Sequence, residues 1–238
     1  VIQFNASFLA ALMPFRAMND VRYYLGGIHV TPHPDGGALL IATNGHIMMC
    51  VYDTSATCSE AVTFALGADA VKHCGARVGQ PPSVVTINPI TQRLTISSGV
   101  GQELYLQPGK CLLDYAEKPD GAVRTSAFPD WRRIVPKVAD LKPGYAGCVQ
   151  AKYIEQAARS HPLRGKRHMT PAIRFWQVNE TGIVAVEYEG APEYMGLIMP
   201  MRLERLNASY DAPSAASLWQ KAFAPTEPAT DPAEKLAA

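Results

Sequence analysis

At 238 residues, with 47% hydrophobic and 18% charged residues, the chain has the composition of a folded globular protein, which excludes a disordered or highly solvated polymer. Domains commonly hold roughly 100–200 residues, so two globular units are the starting expectation. A formal net charge of +1 gives no whole-chain attraction to nucleic acid, and any such contact must come from local clusters of Lys and Arg.

The chain opens with a β-like run, Val1-Ile2-Gln3-Phe4, followed by Asn5 as an N-cap. Phe8, Leu9, Leu12 and Met13 then share one helical face, and the spacing predicts a helix to about Met18. Pro14 stands too late for a first-turn proline and is expected to kink or end that helix early. Arg22-Tyr23-Tyr24-Leu25 and Ile28-His29-Val30 read as strand. A turn at Pro34-Asp35-Gly36-Gly37 leads to a further strand at Leu39–Thr43. Asn44-Gly45 signals a tight type I′ turn before Ile47–Tyr52.

A similar order recurs twice. The second unit reads as a strand at Ala61–Leu66, a helix from Ala68 to Gly75, a hairpin of Ser83–Ile87 with Arg93–Ile96, and a strand at Glu103–Leu106. The third has a strand at Ala146–Gln150, a helix from Ala151 to Arg159, and strands at Ala172–Val178, Gly182–Tyr188 and Tyr194–Met199. Three β-α-β-β-β units account for the ordered chain, repeated in layout and hardly in residues. Beyond Asn207 the Ala, Pro, Ser and Thr content predicts a flexible tail, in which Leu218-Trp219 and Phe223 are the apolar residues able to dock.

The longest apolar runs are strand-sized and far short of the roughly 20 residues that span a bilayer. The first residues have neither the basic region nor the cleavage site of a signal peptide, so a cytoplasmic protein is expected. Five scattered cysteines, Cys50, Cys58, Cys74, Cys111 and Cys148, contain no C-x-x-C pair and read as buried free thiols. The phosphate-loop, dinucleotide, zinc-protease and nucleophile-elbow signatures are all missing. His46, the His29 and His33 pair, and His73-Cys74 lack the supporting groups that a nucleophile or a zinc ion needs. No metal or other cofactor and no catalytic residue is expected.

Three strings, Asp20-Val21-Arg22-Tyr23-Tyr24-Leu25 with Gly27, Ala42-Thr43-Asn44-Gly45-His46, and Phe128-Pro129-Asp130-Trp131-Arg132-Arg133-Ile134-Val135-Pro136, together resemble the bacterial sliding clamp, the β subunit of DNA polymerase III. Met199-Pro200-Met201-Arg202-Leu203 is similar to the sequence that closes that family's chains. The resemblance implies an α+β fold of repeated β-α-β-β-β units with helices inside and sheets outside. Residues 1–136 resemble the family's middle domain, 140–206 a shortened last domain, and the family's first domain has no counterpart. It also implies a DNA processivity factor that tethers polymerase or repair proteins to double-stranded DNA without reading sequence, as a homo-oligomer.

By the same resemblance an apolar pocket for clamp-binding peptides of polymerases, clamp loaders and repair proteins falls on Leu25, Thr43, Gly45, His46, Met48, Pro136, Ile198, Met199, Pro200, Met201, Arg202 and Leu203. Adaptable Met and Leu side chains and a glycine that admits a close backbone suit such a groove. The plainer fate of these residues is core, and for Ile198 and Met199 the two readings stand level. Ile47 stands where the family often has Arg, and Asn44 where it usually has Asp. The DNA-facing candidates are Lys152, Arg159, Arg164, Lys166 and Arg167, the densest basic stretch, whose plainer reading is a solvated helix end. A clamp-like peptide-binding protein that does not encircle DNA, and an enzyme built on His and Cys, remain as alternatives.

Overall fold

The computed structural model describes residues 1–75, 81–113, 128–144, 148–163, 171–179 and 181–201. Its strands are β1 (Ile2–Asn5), β2 (Ile28–Pro32), β3 (Ala38–Thr43), β4 (Ile47–Asp53), β5 (Val62–Phe64), β6 (Val84–Asn88), β7 (Arg93–Ser97), β8 (Glu103–Leu106), β9 (Lys142–Pro143), β10 (Ile173–Gln177), β11 (Val184–Tyr188) and β12 (Tyr194–Ile198). They form two antiparallel sheets, a four-stranded one ordered β1-β6-β7-β8 and an eight-stranded one ordered β5-β2-β3-β4-β12-β11-β10-β9. The first strands of the first two expected units are exchanged, with β1 in the sheet of the second unit and β5 beside β2. The whole is an α+β architecture with little helix.

The eight-stranded sheet crosses from the first unit to the third where β4 pairs with β12, from Tyr194 opposite Val51 to Ile198 opposite Ile47. On its other side β12 packs closely on β11 at Gly196, where a Cβ would lie 3.1 Å from Tyr188 Oη and 3.2 Å from Val186 Cβ. Both faces of the sheet are covered, which is why Ile47–Tyr52 reads as one unbroken apolar run instead of alternating with polar residues. Ile47, Met49, Val51, Val184, Val186, Tyr188 and Ile198 belong to the larger core, with Leu9, Leu12 and Phe15 and the inner residues of the four-stranded sheet. Ile41, Met48, Cys50, Ala185 and Leu197 point the other way and pack with Leu25, Phe128 and Trp131.

The helical expectations shrink in the structure. The stretch after Asn5 contains only α1 (Leu9–Leu12), flanked by 3-10 turns at Ala6–Phe8 and Met13–Phe15. Asn5 does cap the opening turn, its side chain accepting from Ser7 N at 2.9 Å. Pro14 lies in the first positions of the closing turn, where its missing N–H is harmless but a continued α-helix is not supported. The helix expected over 68–75 is one 3-10 turn at Ala70–His73, and Tyr23–Gly26 is a 3-10 turn and not a strand. Residues 148–150 are not strand; β9 supplies the short edge strand instead. Only α2 (Ala151–Arg159) has its expected bounds, with Tyr153 and Ala157 buried and Gln156 Nε2 donating to Pro14 O at 2.5 Å.

Candidate functional site

The turn from β3 to β4 is built by its own polar side chains. Thr43 Oγ1 donates to Ile47 O at 2.8 Å and accepts from Gly45 N at 3.0 Å, and Asn44 Oδ1 accepts from His46 N and Ile47 N at 2.9 and 3.1 Å. Of the two central residues only Gly45 has a positive φ, 88°, so the turn is not the type I′ turn expected from Asn-Gly, which needs both. The Asn44 side chain takes the role of a backbone acceptor instead. Arg22 lies against the glycine, with Nη1 3.1 Å from where a Cβ would stand. It is held there by Asp20, which accepts from Arg22 Nε and Nη2 at 3.0 and 2.8 Å. These hydrogen bonds draw the Asp20 carboxyl down to about 2.

Beside this turn is a cleft of about 280 Å³ lined by Tyr24, Leu25, Ile47, Met48, Pro129, Trp131, Ile134, Leu197 and Met199, with Arg22, Thr43, Gly45, His46 and Asp130 contributing at its edges. Leu25, Met48 and Leu197 form its buried floor, at 1%, 1% and 2% exposure. Ile134 and Met199 are exposed at its wall. Arg132 caps Trp131 from 4.5 Å above the ring. The His46 ring stacks over Tyr153 of α2 with centroids 6.0 Å apart, and His46 O accepts from Met199 N at 2.8 Å, tying the turn to the end of β12. The cleft thus offers a buried apolar floor and a cationic edge.

Of the residues expected for a pocket, Leu25, Thr43, Gly45, His46, Met48 and Met199 are brought together here. Ile198 is not, because strand alternation sends it to the opposite face, into the larger core at 0% exposure, while Leu197 faces the cleft. Pro136, Pro200 and Met201 do not line the cleft, and Met201 N donates to Cys148 O at 2.6 Å. Arg202 and Leu203 lie outside the described residues. Residue reasoning missed Pro129, Trp131 and Ile134, although the string Phe128–Pro136 had been singled out; Trp131 and Ile134, three apart on one turn, were the signal for a shared face. Of the basic candidates, Lys152 and Arg159 are exposed on α2, Arg159 paired with Glu155, while Arg164, Lys166 and Arg167 lie outside the described residues.

Nothing comparable assembles around the cysteines. Burial pushes the thiols of Cys50 and Cys74 up to about 12 and those of Cys58 and Cys111 up to about 11, away from the reactive thiolate. Among the described residues no three His, Cys, Asp or Glu side chains are placed to hold a metal, and no helix is long and apolar enough to cross a membrane.

No protein-family profile matches the sequence, and no curated protein sequence does. Solved structures do. The chain is similar to DNA polymerase III subunit beta from Borrelia burgdorferi, solved with a natural product, at 14% identity and a TM-score of 0.52 over 84% of this chain and 62% of that one. It is similar to the beta subunit from Thermotoga maritima at 12% identity and a TM-score of 0.55, over 85% and 66%. For the beta subunit from Pseudomonas aeruginosa the values are 16%, 0.53, 84% and 66%. The chain has the sliding-clamp fold. It spans about two thirds or less of the length of the clamp chains it matches. Within that clamp fold, the cleft lies where the long sheet passes from one repeated unit to the next.

Proposed function

We propose that this chain is a sliding-clamp-like docking protein that receives extended peptide segments of polymerase or repair proteins in the apolar cleft and tethers those partners to double-stranded DNA without reading sequence. The observation that carries the reading is the cleft itself. Three separated pieces of chain, 22–25, 43–48 and 129–134, meet the end of β12 to leave an apolar space with a buried floor. A volume of about 280 Å³ suits two or three side chains of a partner better than a whole folded surface, and flexible Met48 and Met199 can adapt to them. In this reading residues 1–136 act as a complete clamp domain, 140–206 as a shortened one, and copies of the chain associate to surround DNA.

The test is fluorescence polarisation with a labelled, acetylated pentapeptide carrying leucine and phenylalanine anchors. Saturable binding by the wild-type chain, weakened about 10-fold by Met199→Ser with an unchanged unfolding midpoint, is the expected result. No saturable binding by the intact chain removes the reading.

A second reading, a peptide-binding protein that does not encircle DNA, is favoured by the shortness of the helices. α1 has four residues and the Ala70–His73 turn another four, leaving α2 as the one helix of more than two turns among the described residues. Retention on closed circular DNA but release on linearisation separates the two, since only an encircling protein slides off free ends.

A further inference from the structure

A residue lining the cleft, Trp131, carries a buried polar group without a partner. Trp131 is 8% exposed, and its indole Nε1–H, itself out of contact with solvent, has no hydrogen-bond acceptor. The polar groups of the nearby turn, and Asp20 and Arg132, are engaged elsewhere or cannot accept. Thr43 Oγ1 serves Gly45 N and Ile47 O, and Asn44 Oδ1 serves His46 N and Ile47 N. Asp20 is held by Arg22, and the guanidinium of Arg132 over the Trp131 ring has only donors. A buried donor left without a partner costs free energy in the unliganded chain, and that cost disappears when an acceptor arrives. Tyr24, His46 and Asp130 also line the cleft, but none of them bonds to the indole N–H, which has no partner.

We infer that the peptide docked in the cleft supplies a hydrogen-bond acceptor, a backbone carbonyl or a side-chain amide beside its apolar anchor, to Trp131 Nε1. The inference rests on the peptide-docking reading of the same cleft and names the polar half of its specificity. Ile134 and Met199, at 36% and 38% exposure, are the wall side chains with room to move, and their displacement by the anchor opens the indole edge to the incoming oxygen. The site therefore distinguishes a peptide from a hydrocarbon of the same shape, because only the peptide answers the N–H.

The experiment is a titration of the ¹⁵N-labelled 238-residue chain with the same acetylated pentapeptide, followed at the indole N–H resonances. The Trp131 signal is the one lost in Trp131→Phe, a substitution that keeps an aromatic ring over the floor and removes the donor. Trp176, whose Nε1 donates to Glu187 Oε2 at 2.8 Å, reports in each sample that the sheet is intact. The expected result is a downfield shift of the Trp131 resonance that saturates with the peptide, and binding about 10-fold weaker in Trp131→Phe. Peptide binding with the Trp131 resonance unmoved, and equal affinity in the variant, overturns the inference and leaves the docking reading standing. A resonance already downfield in the free chain and unmoved by peptide identifies a trapped water as the acceptor and overturns it too. Absence of binding by the wild-type chain defeats the docking reading, and this inference with it.

Discussion

Gly45 carries two demands at once, a φ of 88° and a Cβ-free surface 3.1 Å from the Arg22 guanidinium. Gly45→Ala is therefore expected to destabilise the chain by about 1–2 kcal/mol, read as a lowered urea midpoint, because an L side chain resists the left-handed region even where a flexible arginine can step aside. The neighbouring pair Asp20 and Arg22 carries a pH signature. The Asp20 carboxyl is drawn below its ordinary value of 3.8 to about 2, so its contribution is present above about pH 4 and is lost as the pH falls toward 2. A chemical-shift titration of the Gly45 amide should follow that midpoint, and Asp20→Asn should abolish the response. On the alkaline side the direction is reversed. The thiols of Cys50 and Cys74 are raised from 9.0 to about 12, so the folded chain holds these protons more tightly than the unfolded one and loses stability as the pH rises from about 9 toward 12. The same burial predicts that iodoacetamide at pH 8 leaves both unlabelled in the native chain and labels both in urea, which peptide mass mapping checks.

β12 shows at the level of one element how much could be read in advance. Its residues Tyr194–Ile198 were legible as strand from their apolar character, but which of them meet a ligand depends on the parity of the alternation, and parity is set by the pairing with β4. Leu197 faces the cleft and Ile198 the core, so of the two readings that stand level for Ile198 the structure places it in the core. Ile198→Ala is expected to cost about 2–4 kcal/mol in unfolding free energy with little change in affinity for peptide, whereas Met199→Ala, at 38% exposure, should leave stability within about 0.5 kcal/mol and weaken peptide binding. The strands β6, β7, β8 and β11 were legible within a residue or two because polar breaks stand at their ends, whereas the short edge strand β9 left no such signal. The helices were not so legible. An apolar spacing at Phe8, Leu9, Leu12 and Met13 fits an α-helix and a series of 3-10 turns equally well, and Pro14 decides against the longer helix. Tyr23–Gly26 reads as strand because tyrosines favour sheets, while the backbone bonds from Leu25 N to Arg22 O and from Gly27 N to Tyr24 O close a 3-10 turn.

For the molecule as a whole, a near-neutral charge means that any hold on DNA must be local and weak. On α2, Lys152 and Arg159 are seven residues apart and so fall on one side of the helix, away from the buried Tyr153 and Ala157 that fix it to the core. Their surroundings differ. Lys152 lies 4.8 Å from the Tyr153 ring centre and keeps its three donors available, while Arg159 is ion-paired with Glu155 on the surface, an interaction worth little in water. If this face meets the phosphate backbone, each cation released from its local partner displaces about one counterion. The double substitution Lys152→Ala, Arg159→Ala should then lower the slope of log affinity against log salt by roughly 1–2 for a duplex of random sequence. The slope is the discriminating quantity, since a loss of affinity alone would also follow from a loosened α2. Thermal unfolding provides the control: both side chains are exposed, so the midpoint should move little, and Tyr153 stacking on His46 should persist. An unchanged slope with an unchanged midpoint would place the DNA path elsewhere on the chain, and would shift the balance toward the peptide-docking protein that does not encircle DNA.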